Sequence, residues 1–102
     1  MSTAIDIGML ITRTPGIHGG RPHVAGTGVT VQRIAGWYKL GLNPEEIAEQ
    51  IPHLTLAQVY AALAYYHVNR GEIEAYLEQE RIEGDRLTAM LTSAGRPRRP
   101  IR

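Results

Sequence analysis

Between residues 30 and 71 the chain carries three helix start signals in quick succession, with almost no residues left over to connect them. Thr30 can cap a helix over about 31–40, in which Val31, Ile34, Ala35 and Tyr38 recur at helical spacing and Gly41 provides a stop. Asn43-Pro44-Glu45-Glu46 opens a second helix. Asn is a good cap, Pro fits the first helical position, and the two acids complement the helix dipole. Ile47 and Ile51 give that helix a buried side and Pro52 ends it. Thr55-Leu56-Ala57-Gln58 has capping-box spacing and begins a third helix, with Leu56, Val59, Leu63 and Tyr66 or His67 as its apolar stripe and Gly71 as its stop. Three short helices this tightly joined can fold only as a small helical cluster.

The flanking segments read differently. Residues 1–30 are rich in Gly, Thr and Pro, and the runs Met9-Leu10-Ile11, His23-Val24-Ala25 and Val29-Thr30-Val31 are expected as two or three short, edge-like strands. Residues 72–94 are expected as a further, more exposed helix with Ile73, Tyr76, Leu77, Leu87, Met90 and Leu91 on a loose stripe and Gly84 as a weak point. The expected class is mainly α, a tri-helical helix-turn-helix core with short N-terminal β-strands and an additional C-terminal helix. The segments are 1–30, 31–71 and 72–102 within one compact domain. On this reading the core closes near Gly71, and a chain cut after Arg70 still folds.

Charge is unevenly laid out. Residues 71–95 hold Glu72, Glu74, Glu78, Glu80, Glu83 and Asp85 against Arg81 and Arg86, while Arg96, Arg98, Arg99 and Arg102 crowd the last residues. An acidic helix before a basic tail suits an interaction protein better than an enzyme. The chain has no cysteine, which fits a reducing, cytoplasmic setting and removes thiolate metal sites and nucleophiles. His18, His23, His53 and His67 lack helical zinc spacing, and Ser2 and Ser93 lie near the ends, so no catalytic, metal or cofactor residue is expected. Gly16-Ile17-His18-Gly19-Gly20-Arg21-Pro22 lacks the order of a phosphate loop or a dinucleotide site and reads as turn glycines. The first ten residues do not resemble a signal peptide, and no stretch reads as a membrane span.

If the third helix is a DNA-recognition helix, its exposed side is expected to hold Thr55, Gln58, Ala61, Ala62 and Tyr65. Gln58 can read an adenine edge. Phosphate contacts would fall to Arg13, Arg21, Arg33 and Lys39, the cations that precede it.

The runs I-T-R-T-P-G-I-H-G-G-R-P-H-V-A-G-T-G-V-T-V (11–31) and G-L-N-P-E-E-I-A-E-Q-I-P-H-L-T-L-A-Q-V-Y-A-A-L-A-Y-Y (41–66) resemble the bacterial family called domain of unknown function 433. The resemblance covers about residues 9–75 and departs from common usage at Gly28, where members often have Arg, and at His18, where Cys is common. It implies a tri-helical, homeodomain-like helix-turn-helix fold behind short strands, no catalytic residues, and a role like that of VapB-type antitoxins encoded beside a PIN-like nuclease toxin. The function expected from it is an antitoxin-like regulator, a homodimer that grips a co-encoded PIN-like toxin and binds operator DNA. Ile73, Tyr76, Leu77, Leu87, Met90 and Leu91 are its expected partner-binding residues. The alternatives are a stand-alone transcriptional repressor and a dimeric adaptor that binds no nucleic acid.

Overall fold

The computed structural model describes residues 4–93. The basic tail, with Arg96, Arg98, Arg99 and Arg102, lies outside the described residues. The protein is mainly helical, with two short N-terminal strands. A 3-10 turn, Ile7–Leu10, leads into β1 (Ile11–Thr12), which pairs antiparallel with β2 (His23–Val24) in the register Ile11 to Val24 and Thr12 to His23. Four helices follow: α1 (Val31–Lys39), α2 (Pro44–Glu49), α3 (Leu56–Val68) and α4 (Arg70–Ser93).

The helix starts are those the capping residues dictate. Thr30 accepts from the Arg33 amide. Asn43 with Glu46, and Thr55 with Gln58, form complete capping boxes in which each side chain satisfies the other residue's backbone amide. Gly41, at φ 106°, turns the chain out of α1 in a conformation that a side chain would resist. The Leu42 amide then donates to the Trp37 carbonyl, which closes the helix end.

Two expected boundaries move. The run Val29-Thr30-Val31 is not a strand: Thr30 makes a single bridge to His23, because the backbone turns into α1 at Val31 and leaves no further residue to pair. The third helix ends at Val68 rather than at Gly71. Asn69 leaves the helical conformation, at φ −121° and ψ 47°, and ends α3, while its backbone and side-chain amides both donate to the Tyr65 carbonyl, at 2.8 and 3.2 Å. A new helix starts at Arg70, with Gly71 inside its first turn.

The core joins every part of the fold. Val24 and Val29 come from the N-terminal segment, and Val31, Ile34 and Ala35 from α1. Ile47 comes from α2 and Leu54 from the turn, Val59, Ala62, Leu63 and Tyr66 from α3, and Ile73 from α4. Ile73 is fully buried, and Tyr76 and Leu77 pack against the same cluster. The expectation that the core closes at residue 71 is therefore corrected: the first turns of α4 are part of it. Gly36 of α1 lies at this contact: a Cβ there would stand 3.6 Å from Leu77 Cδ2, an ordinary van der Waals distance. On α3, Ala61 and Ala62 are buried rather than exposed, whereas Leu56, expected on the buried stripe, is 38% exposed. A helix with Ala or Leu on most faces gives little periodic signal, and only packing decides which face goes inward.

Candidate interaction surfaces

The cations expected to meet DNA are used inside the molecule. Arg13, just after β1, pairs with Glu72 of α4, donates to the Tyr65 hydroxyl and reaches the Gly20 carbonyl at 3.3 Å. Arg21 donates to Gln79 at 3.0 Å and to Gln32 at 3.2 Å, and its guanidinium lies 4.6 Å from the centre of the Tyr76 ring. Lys39, at the end of α1, pairs with Glu74 at 2.6 Å. The fourth cation, Arg33, stacks over its neighbour Trp37 at 5.0 Å. Buried Gln32 of α1 donates to Glu80. These contacts form a polar clasp along one side of α4, from Glu72 to Glu80.

Glu72 is the most heavily engaged residue of the clasp. Its carboxylate accepts from Arg13, from Tyr65 at 3.0 Å and from Tyr76 at 2.8 Å. Partial burial pushes its pKa up, but the bonds from Arg13, Tyr76 and Tyr65 together outweigh that and hold it below the usual carboxylate range. Glu74 is likewise lowered, by Lys39 and then by Tyr66. In the same contacts burial and Glu72 raise the Tyr65 phenol, and the bond to Glu74 raises that of Tyr66.

The sign of the pH dependence follows from these shifts. Carboxyls with lowered folded-state pKa values stabilise the protein above the ordinary carboxyl range, and that stability is lost as pH falls through the lowered values. Phenols with raised values stabilise it below about pH 10, and that contribution is lost at higher pH. The melting temperature is thus expected to be level from about pH 6 to 9 and to fall on both sides. Glu72→Gln should cost about 1–2 kcal/mol at neutral pH and flatten the acid limb, as read by calorimetry across pH. An acid limb unchanged by Glu72→Gln would show that the clasp is not what titrates.

The expected recognition residues have local tasks. Thr55 and Gln58 bond each other's backbone in the capping box, which occupies the Gln58 carbonyl oxygen and leaves its amide group free of that role. The face that α3 presents to solvent is instead Ala57, Tyr60, Ala64, His67 and Val68, with Tyr60 52% and Val68 81% exposed. It holds no Lys, Arg, Asp or Glu. His18 and His23 do meet across the loop, ring centroids 5.3 Å apart and edge to face.

The residues expected to grip a partner divide into two groups. Ile73, Tyr76 and Leu77 are corrected from partner-binding to core positions, since they are buried or packed on the core. Leu87, Met90 and Leu91 are 57%, 58% and 55% exposed. Both groups lie on one face. Ile73, Leu77, Glu80, Gly84, Leu87 and Leu91 follow alternating steps of four and three, so the side of α4 that packs on the core continues beyond it. From Glu78 to Leu91 every residue is exposed. Arg81 bridges Glu78 at 2.7 Å and Asp85 at 2.8 Å and supports that half of the helix from within.

Sequence reasoning passed over Gln32 and Gln79 of the clasp, and gave Tyr65, Tyr66 and Glu80 other places: an exposed recognition side, an apolar stripe and an acidic face. Their signal is faint. Polar residues at helical spacing on two distant helices become a set only once the helices are laid side by side.

A short two-stranded N-terminal segment, three capped helices and a long fourth helix clasped to them define a small, mainly helical protein with exposed apolar side chains on α3 and on distal α4. The chain belongs to the family described as Protein of unknown function (DUF433), whose model matches residues 11–66, more than half of its 102 residues. It is similar to a member of that family from Anabaena variabilis, known from a crystal structure. The two are 27% identical with a TM-score of 0.65 over 69% of each chain. No curated protein matches this chain. Among the described residues no helix is long and apolar enough to cross a membrane.

Proposed function

We propose that the protein is an antitoxin-like regulatory partner whose distal α4 docks into a groove of a co-encoded, PIN-like nuclease. The observation that carries this reading is the α4 stripe that runs off the core. Leu87, Met90 and Leu91 repeat at the spacing by which amphipathic helices engage grooves, and they extend a rigidly held helix rather than a loose tail. Glu78, Glu80, Glu83 and Asp85 outnumber Arg81 and Arg86 on the same half, and that acidic excess favours a basic partner surface, as a nuclease that binds nucleic acid would offer. The stand-alone repressor is the weaker reading, because Arg13, Arg21 and Lys39 would have to leave α4 to neutralise phosphates.

Co-purification of the full chain with the protein encoded beside it tests the proposal. Leu87→Asp with Leu91→Asp should abolish capture and leave the melting temperature nearly unchanged, since both residues are exposed. Undiminished capture by this double variant would sink the α4 assignment. Fluorescence anisotropy with the upstream DNA, over a salt series, reads the operator role separately. Affinity that is specific for that DNA would restore the repressor reading.

A further inference from the structure

A second apolar surface lies away from distal α4. Ile7 of the N-terminal turn and Ile11 of β1 stand beside α3 and form with Ala61, Ala64, Tyr65 and Val68 a groove of about 270 Å³. Among the described residues no Lys, Arg, Asp or Glu lines it, so neither a phosphate backbone nor a charged peptide finds a partner there. Surface this apolar calls for an apolar occupant.

We propose that the occupant is α3 of a second copy of this chain, packed antiparallel across a two-fold axis near Ala64. Ridge and groove coexist on one helix. Tyr60 and Val68 sit four residues either side of Ala64 and protrude, 52% and 81% exposed, while Ala64 between them allows close approach. In an antiparallel pair centred on Ala64, Tyr60 of each copy enters the other's groove between Ile7 and Val68. A surface that supplies both the knob and its hole at symmetric positions is what an isologous dimer requires. The area also suits. Ile5, Ile7 and Met9 of the N-terminal segment and Leu56, Tyr60 and Val68 of α3 are all exposed large apolar side chains. At roughly 100 Å² each they offer on the order of 600 Å², near the ~800 Å² that each partner contributes to a standard interface. This inference does not depend on the docking role of α4, which uses another face.

Sedimentation velocity on the full chain should show a dimer. Val68→Lys and Tyr60→Lys should each weaken self-association roughly 30-fold or more, as loss of a central interface residue does, with the circular dichroism melt preserved. Leu87→Asp with Leu91→Asp should leave the dimer intact. Because the chain has no cysteine, Ala64→Cys gives an independent reading that does not rest on a destabilising change: mild oxidation should yield a disulfide-linked dimer. A monomeric full chain throughout the micromolar range overturns the proposal. So does a dimer that survives both lysine variants, or one that is lost only in the α4 double variant.

Discussion

A chain cut after Arg70 is expected to lose its cooperative thermal transition. The cut removes Ile73, which is fully buried, together with Tyr76 and Leu77, which cover the same cluster. It also removes Glu72 and Glu74, and so takes from Arg13 its carboxylate partner and from Lys39 and the Tyr65 and Tyr66 hydroxyls the acceptors they bond. Filling Ile73's place with Ala alone should cost about 2–5 kcal/mol, because a buried isoleucine leaves a cavity that a rigid core does not collapse to fill. A small domain commands only about 5–15 kcal/mol in all, so the single change is a large fraction of it and the truncation should exceed it. Urea titration of Ile73→Ala, beside circular dichroism of the truncated chain, gives the measurement. A truncated chain that melts cooperatively near the full-length temperature would mean that α1 to α3 close a core unaided.

Replacing Tyr66 with Ala should cost about 3–5 kcal/mol, the usual range for removing a buried aromatic ring. Tyr66 is 1% exposed. Tyr38 meets its ring edge to face with centroids 6.4 Å apart, Arg70 lies 5.1 Å over it, and its hydroxyl donates to Glu74. The ring and the hydroxyl can be separated. Tyr66→Phe keeps the packing and loses one charge-assisted hydrogen bond, which should cost about 1.5–3 kcal/mol. Glu74 keeps Lys39, so the low end is expected. It should also reduce the loss of stability above pH 10, since the raised phenol is gone. Equal stability of the Phe and Ala variants would show that the ring contributes little and that the hydroxyl accounts for the effect.

The two experiments bear on one organisational point. The cations Arg13, Arg21 and Lys39 resemble a phosphate-binding set when read along the chain, and in the fold they hold α4 in place. Fixing the proximal half of α4 directs its distal half outward, and on the reading proposed above that is the half that meets a partner.

Much of the local structure was legible from the residues alone. Thr30, Asn43 and Thr55 cap their helices, Gly41 ends α1, and Val31, Ile34, Ala35, Ile47, Val59 and Leu63 face inward as their spacing implies. These features are decided within a few residues of chain, by hydrogen bonds that a side chain makes to its own backbone and by helical periodicity, so the order of residues determines them. The stop of α3 shows where that begins to fail. The sequence points to Gly71, but the helix ends at Asn69, whose backbone turns out of the helix while its side-chain amide also reaches the Tyr65 carbonyl. The remaining features were settled only by tertiary structure. Ala61 and Ala62 go inward because small residues let α3 approach its neighbours closely, Ile73 joins the core because α4 packs back on α1 and α3, and Glu72 becomes a clasp because that packing brings it to Arg13. The same sequence stripe on α4 is core at Ile73 and surface at Leu87, because the rest of the protein ends between them; periodicity reports a face, and how far the packed neighbours extend along it is a property of the assembled fold.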